Sequence, residues 1–179
     1  MVMKRVAKFE KVSYEQFEKD YLDTFGLAGD DTSKRLRQEI ESMYYGLELP
    51  TRATSGSAGY DIQTPFSFSL KPGEEIKIPT GLRCKMNDNY VLLVFPRSGL
   101  GFKYRETMSN TIPVVDSDYF YSDNEGHIFI KIVNCGNKEF RVKNNEAFVQ
   151  GIFFEYGVTD DDDAKATRNG GFGSTDKRE

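Results

Sequence analysis

The chain has 179 residues, 38% of them hydrophobic, enough for one domain with an ordinary core. A formal net charge of −4 and a pI of about 5.2 exclude a general nucleic-acid coat, which needs a basic face, but allow a small anion held by local arginines. Two cysteines and one histidine without CxxC spacing argue against a zinc site and predict two buried free thiols, Cys84 and Cys135. Met1–Glu10 is charged and lacks an apolar leader, and no apolar run approaches membrane-spanning length. The expectation is a cytoplasmic protein that meets neither membrane nor nucleic acid.

Residues 1–48 read as an N-terminal strand and helical extension. Ser13 and Gln16 form a capping box, after which Tyr14, Phe17, Tyr21 and Phe25 fall on one helical face. Gly26–Asp31 breaks that pattern, and Leu36, Ile40 and Met43 mark a second amphipathic helix over Ser33–Tyr44. From Leu49 the texture is β. Strands are predicted at Phe66–Leu70, Glu75–Pro79, Gly81–Met86, Tyr90–Pro96, His127–Val133, Glu139–Val142 and Ala147–Tyr156, separated by Pro-Gly, Asn-Asp and Asn-Asn turns. Many short strands at this spacing point to a sandwich, jelly roll or barrel across residues 49–159. His127–Val133 is so apolar that both its faces are expected to be buried. Residues 160–179 open with the acidic run Asp160–Asp163, a solvated linker, and continue into ATRNGGFGST.

That last run has two readings. Glycines let backbone N–H groups approach phosphate, Ser174 and Thr175 add donors, Arg168 adds charge, and Phe172 offers a ring on which a base can stack. The same residues also suit an unstructured tail.

Four further segments carry chemistry. Ala58-Gly59-Tyr60-Asp61-Ile62 sets a carboxylate at a strand start. Pro96-Arg97-Ser98-Gly99-Leu100 ends an apolar strand with a cation and a hydroxyl. Val114-Val115-Asp116-Ser117-Asp118-Tyr119 sets an acid three residues before a tyrosine. Asn145–Gln150 leads a turn into a strand with a lone glutamine. Each alone reads as a turn acid, a surface cation, a cap, a core tyrosine or an exposed strand residue.

Together, and in this order, AGYDI, PRSGL, VVDSDY, NEAFVQGIF and RNGGFGST resemble the five motifs of the trimeric dUTP diphosphatase (dUTPase) family, over about Leu49–Lys177. The resemblance implies a mainly β, jelly-roll or distorted-barrel homotrimer with a flexible Gly-rich C-terminal arm. It further implies active sites shared between subunits that would cleave dUTP to dUMP and pyrophosphate with Mg²⁺. It implies that Asp116 is the base for water attack at the α-phosphorus and that Gln150 holds that water or a phosphate oxygen. Arg97 and Ser98 would contact phosphates, and Gly99 would allow close approach. Asp61 would hold Mg²⁺ through water, and Arg168 would reach the outer phosphates from another subunit's arm. Tyr119 would exclude a ribose 2′-hydroxyl, Asn110 and the 110–116 hairpin would read uracil, and Phe172, Gly173, Ser174 and Thr175 would close over the nucleotide.

The sequence departs from the family pattern in five places. Pro113 stands where glycine is usual in the uracil hairpin, removing an N–H. Phe120–Glu125 is inserted after Tyr119 and is expected to extend a turn beside the site. Arg168 is one residue closer to the arm's aromatic than is common, Asp176 follows Ser-Thr where glycine is usual, and the lead-in before Leu49 is long. Two other functions fit the same fold: a dCTP deaminase-type enzyme, for which the expected glutamate is missing from His127–Val133, and a weakly active trimer that serves as a scaffold for a protein partner.

Overall fold

The computed structural model describes residues 4–29, 33–166 and 168. It is mainly β, in agreement with the turn-punctuated strands of the sequence. A first strand, β1 (Ala7–Lys11), precedes helices α1 (Tyr14–Phe25) and α2 (Lys34–Gly46). Then follow β2 (Thr51–Arg52), β3 (Tyr60–Gln63), β4 (Phe68–Leu70), β5 (Glu75–Pro79), β6 (Leu82–Met86) and β7 (Tyr90–Pro96). Helix α3 (Ser98–Tyr104) leads to β8 (Glu106–Met108), β9 (Val114–Val115) and a 3₁₀ helix at Ser117–Tyr121. The chain closes with β10 (Phe129–Asn134), β11 (Phe140–Val142) and β12 (Ala147–Glu155).

The largest sheet has the order β2-β3-β12-β7-β9, a second runs β5-β10-β8, and β1-β6 and β11-β4 form two ribbons. Between them lies one core that includes Ile62, Ile78, Leu92, Val94, Ile130, Ile132 and Phe148, all essentially inaccessible. Burying such side chains contributes roughly 1.5–3 kcal/mol each, so this core is what holds the sheets together.

The helices form where the caps place them. The Ser13 hydroxyl accepts from Gln16 N, and Gly26 closes α1 in the left-handed conformation (φ 64°). Ser33 caps α2 through Leu36 N. Val12, Phe17, Leu22 and Ile40 make a small second core under the helical pair. The extension is also stitched to the β body, because β1 pairs antiparallel with β6.

Two expectations are corrected. Cys84 is buried but Cys135, just past the end of β10, is exposed. Strand β10 alternates rather than being covered on both faces: Ile130, Ile132 and Asn134 are buried, while Lys131 is exposed. The segment after the PRSGL cation is a short helix, α3, built from Ser98-Gly-Leu-Gly-Phe-Lys-Tyr104, whose two glycines hide its helical character in the sequence.

Candidate active site

Strand β7 organises the site. Strand β12 pairs with it from Val149↔Pro96 to Glu155↔Tyr90, and β3 flanks β12 on the other side. A bulge between Ala147 and Val149 leaves Phe148 and Val149 both buried, and the alternation restarts so that Gln150 is only partly covered. Gln150 is thereby the register partner of both Asp61 and Phe95.

Asp61, Arg97, Ser98 and Gln150 therefore gather at one end of β7. Arg97 Nε lies 3.0 Å from Asp61 Oδ1 and Nη2 donates to Oδ2 at 3.3 Å, a forked pair. Arg97 Nη1 also donates to the Ala147 carbonyl at 3.3 Å. Both side chains keep solvent contact (40% and 24% exposed), so the pair adds at most about 1 kcal/mol of stability and its value is positional. Gln150 Nε2 donates to the Pro96 carbonyl at 3.0 Å. Ser98 and Gly99 are exposed, and a Cβ at Gly99 would meet nothing within 4 Å.

Asp116 and Tyr119 are placed elsewhere. Strand β9 pairs with β7 at Val115↔Leu92. Arg97 is five residues beyond Leu92, roughly 17 Å along a strand that rises about 3.3 Å per residue. One chain thus sets Asp116 at the opposite end of β7 from Arg97. Asp116 is paired with Arg168 Nη2, and Arg168 Nε donates to Asp118 Oδ1 at 3.0 Å. The Arg168 guanidinium also lies 5.8 Å from the Tyr119 ring centre. Val114, Val115, Asp116, Tyr119, Ile128 and Arg168 line a cleft of about 50 Å³. Tyr119 is buried and its phenol is raised above the ordinary tyrosine range, first by burial. Its hydroxyl donates to the His127 carbonyl at 2.7 Å.

The 110–116 segment is a connection between two sheets, closed by a single bridge, Met108↔Thr111, because β8 pairs with β10 and β9 with β7. Asn110 lines a different cleft, of about 270 Å³, with Lys77, Ser109, Phe129 and Lys131. Pro113 is buried and its carbonyl accepts from Val94 N at 3.1 Å, so it anchors this connection to β7. Phe172, Gly173, Ser174 and Thr175 lie outside the described residues. Within the inserted Phe120–Glu125, Phe120 is buried under the Arg83 guanidinium, 3.7 Å from the ring centre.

Among the buried polar residues that the sequence does not single out are one acid and one histidine. Glu106 is 2% exposed, neither carboxylate oxygen has a hydrogen-bond partner among the described residues, and burial pushes its carboxyl up to about 8, partly opposed by Arg97. Its signal was an acid at an apolar-phase position of the Glu106-Thr-Met108 strand. His127, fully buried, meets Asp20 of α1. Its signal was a lone histidine opening an apolar run.

Among the described residues no three His, Cys, Asp or Glu side chains come together to hold a metal. Asp61, a part-exposed carboxylate beside Arg97, suits an ion such as Mg²⁺ that keeps its waters and takes phosphate oxygens as ligands.

The fold is mainly β and carries two separated polar clusters, Asp61–Arg97–Ser98–Gln150 and Asp116–Tyr119–Arg168. A model of the dUTPase family matches residues 46–176. Deoxyuridine 5'-triphosphate nucleotidohydrolase of Lactococcus lactis subsp. lactis is 41% identical over 133 residues, covering 73% of this chain and 89% of the relative. The enzyme of the same name from Chromobacterium violaceum is 35% identical over 135 residues, covering 71% and 87%. The crystal structure of dUTPase from Streptococcus mutans superposes with a TM-score of 0.57 at 33% identity, covering 63% of this chain and 88% of that one. The dUTPase of phage phi11 of S. aureus, whose structure is described as revealing coordination of a structural Mg(II) ion, shares the fold at 18% identity and a TM-score of 0.56, covering 67% and 91%. The chain belongs to the dUTPase family.

Proposed function

We propose that this chain is a Mg²⁺-dependent, cytoplasmic dUTP diphosphatase that releases dUMP and pyrophosphate, and that it works as a homotrimer with shared sites. The observation that carries the shared site is the parting of Asp116 from Arg97, Ser98 and Gln150 along β7. A complete site then needs Asp116 from one copy beside Arg97 from another.

The outer face of the largest sheet supports the assembly. Val91, Leu93, Phe95, Val114, Ile152 and Phe154 alternate with core residues, and the Phe95 and Phe154 rings stand 6.3 Å apart on that face. Val114 is 56% and Phe154 43% exposed in the single chain. A sheet face this apolar calls for cover, and further copies of the chain supply it.

In the assembled site Asp116 accepts a proton from water as its oxygen attacks the α-phosphorus. The bond from that phosphorus to the bridging oxygen breaks, and pyrophosphate leaves. Arg97, the Ser98 hydroxyl and Gly99 meet the phosphates, and Gln150 orients the water or a phosphate oxygen. Asp61 would hold Mg²⁺, which would supply neutralisation of phosphate charge. The Asp61–Arg97 fork keeps both groups aligned before substrate arrives. Arg168 leaves Asp116 for the outer phosphates as the arm crosses to another copy, with Phe172 on uracil and Gly173, Ser174 and Thr175 along the phosphates. Tyr119 walls off the 2′ position and Asn110 reads the base.

The deaminase reading has less support: β10 offers Lys131 and no acid. The scaffold reading leaves the Asp61–Arg97 fork without a purpose. The deciding measurement is pyrophosphate release from dUTP, dTTP, dCTP and UTP with Mg²⁺, with Asp116→Asn as control. Release from dUTP alone, lost in the control, is expected; a folded trimer that releases none would overturn the reading.

A further inference from the structure

Helix α1 lies before the family match, yet it reaches the wall of the candidate site. Gly81 N–H donates to His127 Nε2 at 2.8 Å, so that nitrogen carries no proton. The remaining ring nitrogen, Nδ1, must then hold the proton and donate it to Asp20 Oδ2 on α1, 2.5 Å away. Both ring nitrogens are committed, and the ring is flanked by Phe129 at 4.6 Å and Phe17 at 6.2 Å between centres. His127 is therefore a clamp whose position depends on Asp20.

The backbone of that same residue holds Tyr119. Tyr119 Oη donates to the His127 carbonyl at 2.7 Å and accepts from Asn124 Nδ2 at 2.9 Å. Asn124 Oδ1 in turn receives Gly126 N–H at 3.2 Å. The insertion also grips the start of α1: Glu125 accepts from Ser13 N at 2.8 Å and from Ser13 Oγ at 2.6 Å. Two departures from the family pattern, the helix and the insertion, are thus one structure, fastened on both sides of Tyr119's hydrogen-bond partner.

We infer that α1 is a positioning element of the site, in which Asp20 acts through His127 to hold Tyr119 against the sugar and so sharpens the choice of deoxyribose over ribose. The inference rests on the proposed dUTPase reading and on Tyr119 as the sugar wall. Without the Asp20 carboxylate the His127 ring loses a charge-assisted hydrogen bond, the carbonyl that fixes Tyr119 shifts, and the wall loosens.

The test is the preference for dUTP over UTP in kcat/KM, measured on the full chain with Mg²⁺. Asp20→Ala is expected to lower that preference about tenfold, the effect of one lost charge-assisted hydrogen bond. Asp20→Asn, whose amide oxygen still accepts from Nδ1–H, should recover most of it. Lys19→Ala, an exposed neighbour on α1, should leave it unchanged. A helix that merely stabilises the fold would lower activity on both nucleotides equally and leave the preference intact; that result overturns the inference. Should the alanine chain fail to fold, Asp20→Glu moves the carboxylate by one methylene and carries the same readout. A wild-type chain that releases no pyrophosphate from dUTP overturns the underlying reading and this inference with it, whereas normal turnover with an unmoved preference overturns the inference alone.

Discussion

Gly59 lies so close to the amide of Gln150 that a Cβ built on it would sit 2.3 Å from Oε1 and 3.1 Å from the amide carbon. The glycine of AGYDI is therefore the floor on which Gln150 rests, with Nε2 held by the Pro96 carbonyl. Alanine at 59 would displace a flexible side chain from its place without opening the core. Gly59→Ala is expected to fold normally but to lower kcat by roughly 10- to 100-fold, the usual consequence of a misplaced catalytic group. Steady-state kinetics beside a melting curve checks this; unchanged kcat would remove Gln150 from the reacting centre.

Asp116→Asn keeps the shape of the acid and removes its capacity to take a proton. Its expected effect is a loss of turnover of about 10²-fold or more with nucleotide affinity retained. Calorimetric titration with a non-hydrolysable dUTP analogue, beside the rate, separates the two. A variant with wild-type turnover would disprove the base assignment.

At Pro113 the carbonyl, not the missing N–H, makes the anchoring bond to Val94. Pro113→Gly should therefore keep the connection's path while giving the unfolded chain more freedom, about 0.4–1 kcal/mol of lost stability. A lower melting temperature with kcat/KM for dUTP within about threefold is expected. A large gain in kcat/KM would mean that the proline weakens uracil recognition.

Glu106 makes stability depend on pH. Its carboxyl is held near 8 in the fold against an ordinary value of 4.5, mainly by burial. The folded state thus binds the proton more tightly than the unfolded chain does. This contribution is full below about 4.5 and is lost as pH rises through about 8. The urea midpoint should fall between pH 5 and pH 9, and Glu106→Gln should flatten that decline. An identical slope in both proteins would mean that Glu106 finds a partner.

The two cysteines should differ in reactivity. Burial, with Glu10 nearby, pushes the Cys84 thiol up to about 12, while Cys135 is exposed. Thiolate is the reactive form, so iodoacetamide at neutral pH should label Cys135 alone in the folded protein. Peptide mass spectrometry reads the sites; early labelling of Cys84 would show that the β1–β6 ribbon opens.

Much of this protein was determined by signals local in the chain. Ser13 with Gln16 announces α1 because capping involves residues three apart, and the spacing of Leu36, Ile40 and Met43 announces α2. Strands β5 and β7 have the bounds read from their apolar runs and turn residues, and the five ordered motifs carry the family. Tertiary structure decided what depends on register and on partners distant in sequence. Only the pairing of β9 and β12 along β7 shows that Asp116 and Arg97 lie at opposite ends of one strand. Only packing reveals that Glu106 is buried, that Cys135 is exposed, and that His127 meets Asp20 across 107 residues. Caps and periodicity are set by backbone geometry over a few residues, whereas burial and charge pairing are set by which strands the whole core brings side by side.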